Sequence, residues 1–185
     1  MSNQQPTRPT DVRLVLRCQL GEQDAWRELV EIWNPKLIGF FNRMTNDPGK
    51  NDDLLQATWL RIVRTLTRLD RPDRFAPWAY RIARNTLTDH LRKQYRSVPT
   101  TVSEADPKQS EHDAVLESWI ACDEISFAIQ QLHPVDREVI TLHYFEHLTV
   151  TEVADVCDLP VGTIKSRLIR ARLQLRHLLE KDKTQ

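Results

Sequence analysis

The sequence predicts an all-α protein: two small helical domains joined by a flexible acidic linker. Three observations lead there. Apolar residues recur at three- and four-residue steps through most of the chain, and nothing alternates with the two-residue period of a half-buried strand. Only 4 glycines accompany 10 prolines, which suits helices separated by proline-marked breaks better than a fold of tight β-turns. Residues 97–117 interrupt the periodicity with Ser, Thr and Pro, carry Glu104, Asp106, Glu111, Asp113 and Glu117 against Lys108, and have few large apolar side chains to bury. The chain therefore divides into a domain at 10–96, a linker at 97–117 and a second domain at 118–181.

The first helix starts at Thr10 or Asp11, carries Val12, Leu14, Val15 and Leu16, and stops at Gly21. The second begins near Asp24 with Trp26, Leu29, Val30, Ile32 and Trp33. Pro35 marks a break or a new helix start, after which Leu37, Ile38, Phe40, Phe41 and Met44 continue the apolar face. The run from Asn46 to Gly49 signals a turn. A third helix covers Asn51 to Leu69 on Leu54, Leu55, Thr58, Trp59, Ile62, Val63 and Leu66. After a loop from Asp70 to Asp73, a fourth runs from Ala76 to Tyr95 on Trp78, Ala79, Ile82, Ala83, Leu87 and Leu91.

Past the linker, Ile120 to Leu132 and Pro134 to Phe145 read as helices, with Pro134 at a favoured first-turn position. Thr149 with Glu152 three residues on has the spacing of a capping box. That helix ends near Val156, and a short break at 157–159 leads to Pro160 and a long basic helix.

No apolar run approaches the roughly 20 residues of a membrane span, and the polar residues 1–9 lack the apolar core of a signal peptide, so a cytoplasmic protein without a membrane partner is expected. Cys18, Cys122 and Cys157 are far apart and odd in number, which argues against a disulfide framework and favours buried, inert thiols. No metal site or cofactor is expected. The net charge of zero hides an asymmetry, with a balance of +6 in residues 1–96 and −6 in residues 97–185. Two basic clusters stand out: Arg74, Arg81, Arg84, Arg92, Lys93 and Arg96 against Asp89, and Lys165, Arg167, Arg170, Arg172 and Arg176 with no acid between 160 and 178. Local clusters of this kind attract polyanions whatever the total charge.

The string TVTEVADVCDLPVGTIKSRLIRAR at 149–172 is a short helix, a tight turn and a helix with polar and basic residues near its start, the plan of a helix-turn-helix. Val153, Ala154 and Val156 face inward on the first helix, and Ile164, Leu168 and Leu175 pack the second onto it. Thr163, Ser166, Arg167 and Arg170 are expected to project outward, a face that fits the major groove, where arginine makes bidentate contacts with guanine. Lys165 and Arg172 are placed to reach phosphates, which fix register without reading sequence. The plainer reading of the same residues is an amphipathic helix with a solvated basic face.

On these residues the chain resembles the extracytoplasmic-function (ECF) group of the sigma-70 family of RNA polymerase sigma factors. REVITLHYFEHLTVTEVADVCDLPVGTIKSRLIRARLQL resembles the group's helix-turn-helix domain 4, and DDLLQATWLRIVR followed by FAPWAYRIARNTLTDHLRK resembles its domain 2. The resemblance implies a factor that binds core RNA polymerase and directs transcription initiation at promoter DNA. It implies that Asp53, Leu54 and Gln56 dock on the clamp helices of the polymerase largest subunit, that Phe75 to Arg96 opens and reads the −10 element, and that the helix from Pro160 reads the −35 element. It implies a linker threaded through the polymerase, and it allows an anti-sigma factor as a further partner. Four positions depart from the group's pattern: Ala57 where an acid commonly follows the glutamine, His133 where proline often follows leucine, and His147 and Asp158 where glycine is common.

The −10 segment has a physical reading of its own. Holding an unpaired strand takes aromatic platforms or pockets for bases and cations for phosphates. Arg81, Arg84, Asn85 and Arg92 lie on one predicted helix, and Asn85 offers both donor and acceptor to a base edge. Trp78 also lies there, but its spacing from Ile82 favours a core position over base stacking, and Phe75 is open in the same way. Two other function classes fit less of the chain. A free-standing DNA-binding regulator needs the helix-turn-helix but not the Asp53–Gln56 patch or the first basic helix. An enzyme would have to use His143, Glu146 and His147, which carry no HExxH pattern, while the chain has no phosphate-cradling glycine loop.

Overall fold

The computed structural model describes residues 9–45, 47–94 and 123–182. Among these residues every regular element is helical. They fall into two compact units. The expected linker and residues 95–122 lie outside the described residues.

The first unit is carried by α1 (Pro9–Gln19), α2 (Gln23–Met44), α3 (Asn51–Thr65) and α4 (Phe75–Gln94), with single 3-10 turns at Pro48–Lys50, Leu66–Arg68 and Pro72–Arg74. Gly21 takes a φ of +86° between α1 and α2, a conformation a Cβ would penalise, and so ends the first helix. α2 buries Ala25, Leu29, Trp33, Leu37 and Phe40, a stripe at helical spacing. Pro35 does not break α2. It sits on the exposed face, where water can satisfy the Glu31 carbonyl left without an N–H partner. The core is aromatic: the Trp33 ring meets Phe75 edge-on at 4.8 Å and lies 5.7 Å from Tyr80, which is in turn 5.7 Å from Phe40. Each such pair adds about 1 kcal/mol beyond the area it buries. The Gln19 amide donates to the carbonyls of Leu66 and Leu69 and so ties α1 to the end of α3.

The second unit contains α5 (Asp123–Gln130), α6 (Pro134–Ile140), a π-helical turn at Thr141–Phe145, α7 (Val150–Cys157) and α8 (Val161–Asp182). α5, α6 and α7 all pack against α8. Ile164, Leu168, Ala171, Leu175 and Leu179 form the buried stripe of α8, facing Val153 and Val156 of α7 and Val139 and Ile140 of α6 across the same core. The capping box is present: Glu152 N donates to Thr149 Oγ1 at 3.3 Å and Thr149 N donates to Glu152 Oε2 at 2.9 Å. α7 ends on Asp158 in the left-handed conformation (φ 57°, ψ 47°), and the Asp158 N–H bonds back to Ala154 O. His147 also takes a positive φ, 56°. The two positions where glycine is common in the resembled group are therefore, among the described residues of this unit, the two that turn left-handed.

Candidate nucleic-acid interface

α4 presents its polar residues along one side. Arg81, Asn85 and Arg92 are exposed, and at about 100° per residue they and Trp78 fall within an arc of about 60°. Asp89, the acid in this cluster, pairs with Arg61 of α3 at 2.8 Å. That pair holds α3 to α4 and takes the negative charge to one edge of the stripe. Arg84 is half-buried. Phe75 and Tyr80 are 1% exposed and belong to the core. Trp78 is half-buried and rests against Phe75 with ring centroids 5.7 Å apart, so its inner face is packed and its outer part remains at the surface.

Of the three α3 residues expected to dock, two are exposed and one is not. Asp53 and Gln56 are exposed, but Leu54 is 2% exposed and packs in the core. It lies about 100° around the helix from Asp53 and cannot share its face. The apolar residues that do share that face are Leu60 and Val63, 51% and 52% exposed. Val63, expected on the apolar face of the helix, and Leu60 are thus surface residues. Their step of seven and ten residues from Asp53 was the signal that could have found them.

The helix-turn-helix forms as expected, yet its arginines are turned differently. Thr163 and Ser166 are half-buried, and the Ser166 hydroxyl donates to Thr163 O at 3.0 Å. Lys165 is exposed. Arg167 does not project outward. It is buried, and its Nη1 donates to Asp136 Oδ1 at 3.2 Å. Arg170 gives Nε to Asp136 Oδ2 at 2.9 Å and Nη2 to Oδ1 at 2.7 Å. Asp136, near the start of α6, is 1% exposed. An unpaired carboxylate so deep in the fold is costly, so two guanidinium groups fold inward to meet it. The Asp136 contact holds the Arg170 guanidinium above its ordinary pKa, so it stays fully charged. Arg172 is half-buried, with Nη1 3.4 Å from the Tyr144 hydroxyl oxygen. The residues that share the open side of the first turns of α8 are Gly162, Lys165, Ser166 and Ile169, with Arg170 at its rim. Ile169 was not foreseen as a surface residue.

Of the histidines considered for an enzyme, His143 serves the fold. His143 Nδ1 lies 2.7 Å from the Leu148 carbonyl, and since a carbonyl only accepts, the ring carries its proton on that nitrogen. Among the described residues no group of three His, Cys, Asp or Glu side chains is placed to hold a metal ion. No described helix is long and apolar enough to cross a membrane. Cys18 and Cys157 are buried and form no disulfide, and burial pushes the Cys18 thiol up to about 11.

Comparison with known proteins agrees with this geometry. The family model for sigma-70 region 2 matches residues 29–97, and that for sigma-70 region 4 matches residues 122–175. The RNA polymerase sigma-H factor of Pseudomonas aeruginosa is 34% identical over 90% of this chain and 92% of its own. The ECF RNA polymerase sigma factor SigW of Bacillus subtilis is 32% identical over 86% of this chain and 91% of its own. Among solved structures, CnrH in complex with the cytosolic domain of CnrY superimposes with a TM-score of 0.67 at 27% identity, over 93% of this chain and 98% of that one. The fold and the two regions define a two-domain sigma factor. The chain belongs to the ECF group of the sigma-70 family, whose members are not enzymes but direct promoter-specific transcription initiation with RNA polymerase.

Proposed function

We propose that this chain binds core RNA polymerase through the exposed side of α3, holds the opened −10 strand on α4 and reads −35 duplex DNA with α8. Asp53 and Gln56 supply polar contacts to the clamp helices of the polymerase largest subunit, and Leu60 and Val63 add apolar area to the same face. Leu54 serves this dock indirectly, by fixing α3 to the core. On α4, Arg81, Arg84 and Arg92 neutralise phosphates of the captured strand, Asn85 meets a base edge, and the outer part of Trp78 offers a stacking surface. On α8, Lys165, Ser166 and Thr163 approach the duplex from the first turn, and Arg172 serves the backbone. Arg167 acts from within, as a brace. Residues 10–96, 97–117 and 118–181 are the docking and melting domain, the linker and the −35 domain. The work is cytoplasmic, since that is where the polymerase is.

The observation that carries this reading is the line of Arg81, Asn85 and Arg92 along one exposed side of α4, a surface a duplex-only regulator does not need. An anti-sigma factor is a further partner we assign by likeness, because solved relatives such as CnrH, in complex with the cytosolic domain of CnrY, are partnered in this way. The test is co-elution of the purified protein with core bacterial polymerase beside the Asp53→Arg, Gln56→Ala double variant. Wild-type binding that is lost in the variant supports the dock. Duplex DNA bound by the protein alone, with no polymerase binding at low salt, points to a free-standing regulator instead.

A further inference from the structure

The Asp136 carboxylate treats its two arginines unequally. Side-chain exposure is 10% for Arg167, 27% for Arg170 and 1% for Asp136. Arg167 is consumed inside the fold, and its Nε is buried without a hydrogen-bond partner. Arg170 is consumed along one edge. Its Nε and Nη2 each give one hydrogen to the two carboxylate oxygens at 2.9 and 2.7 Å, the paired geometry of a planar fork on a carboxylate. A guanidinium has five N–H groups in one plane, so Nη1 and the second hydrogen of Nη2 form another edge, directed away from Asp136. That second edge also presents two parallel N–H donors and can pair with O6 and N7 of a guanine. Arg170 is four residues after Ser166, one turn along the same side of α8, and its side chain leans back toward the helix start.

We propose that Asp136 is a positioning residue for promoter reading: it grips Arg170 by one edge so that the other edge meets a guanine of the −35 element already oriented. This rests on α8 being the −35 reader. An arginine free to swing must be ordered at the moment of contact, and it pairs as readily with any phosphate as with a base. Held by Asp136, it loses reach for phosphates and keeps the end-on geometry for one base. The carboxylate thus trades sequence-independent attraction for discrimination.

The test uses the full chain as holoenzyme with core polymerase, selecting −35 sequences from a duplex library randomised over that element. Wild type is expected to enrich guanine at one position. Asp136→Asn removes the charge but keeps the size. It should lose that preference about tenfold, and its salt dependence should steepen by about one phosphate contact, because Arg170 is released to the backbone. Arg170→Lys keeps the charge without the fork, should lose the same preference, and leaves Asp136 a charged neighbour if Asp136→Asn fails to fold. The double variant should be no worse in preference than either single one, because the two act as one unit. Equal guanine preference in wild type and Arg170→Lys, or a loss in Asp136→Asn that falls uniformly on all sequences, overturns the proposal while leaving the −35 reading intact. If wild-type holoenzyme selects no −35 sequence at all, the −35 reading itself fails and the proposal with it.

Discussion

α4 and α8 carry similar basic runs and use them in opposite ways. On α4, Arg81 and Arg92 stand out into solvent, and the nearby acid Asp89 is drawn aside by Arg61. On α8, Arg167 and Arg170 turn inward to Asp136, a buried acid more than thirty residues earlier in the chain. The lesson is that a cluster of arginines measures a DNA-facing surface only after the buried carboxylates have taken their share. In the first unit the basic helix is a surface with a hydrophobic back. In the second it is partly a brace that holds α6 to α8.

The sharpest way to separate the two is to remove one charge from each. Asp136→Ala leaves Arg167 buried without its carboxylate and should cost the second unit about 3 kcal/mol, read by urea denaturation. Arg81→Ala should change the stability of the first unit by less than about 0.5 kcal/mol, because nothing in the core depends on it. Equal and small losses in both would mean that the Asp136 network braces nothing.

A smaller effect concerns the turns of the second unit. His147 adopts a left-handed conformation that costs a non-glycine residue about 1 kcal/mol, so His147→Gly should raise the stability of this unit by about that much in thermal unfolding. Asp158→Gly should gain less, since a short polar side chain tolerates the same geometry. The smallest effect under ordinary conditions lies in the first unit. The Cys18 thiol is pushed up to about 11 by burial, above its ordinary value near 9. The folded state then keeps the proton that the unfolded chain releases, so stability is untouched below pH 9 and falls as the pH rises from 9 through 11. Cys18→Ala should abolish that alkaline loss in pH-dependent unfolding.

Much of this was legible in the sequence because the signals are local. The stripe of α2, the capping box at Thr149 and Glu152, and the turn between α7 and α8 each depend on residues within a few positions of one another. What was misread needed either rotational phase or distant partners. Leu54 and Leu60 differ by six residues, yet one is core and the other surface, and a run of apolar residues does not say which side is which. Arg167 and Arg170 could not be seen to turn inward without knowing that Asp136 is buried beneath them. Pro35 signals a break or a fresh start in the sequence because the pattern shows the missing N–H but not the solvent on its exposed side.

Permanganate reactivity of thymines near the start site, in complexes formed by holoenzyme, tests most directly whether the open side of α4 holds an unpaired strand. Wild-type protein should expose reactive thymines over the −10 element. Arg81→Ala with Arg92→Ala should keep core binding and upstream protection while reactivity falls about tenfold. Opening by the double variant at the wild-type level would mean that this side of α4 does not hold the strand.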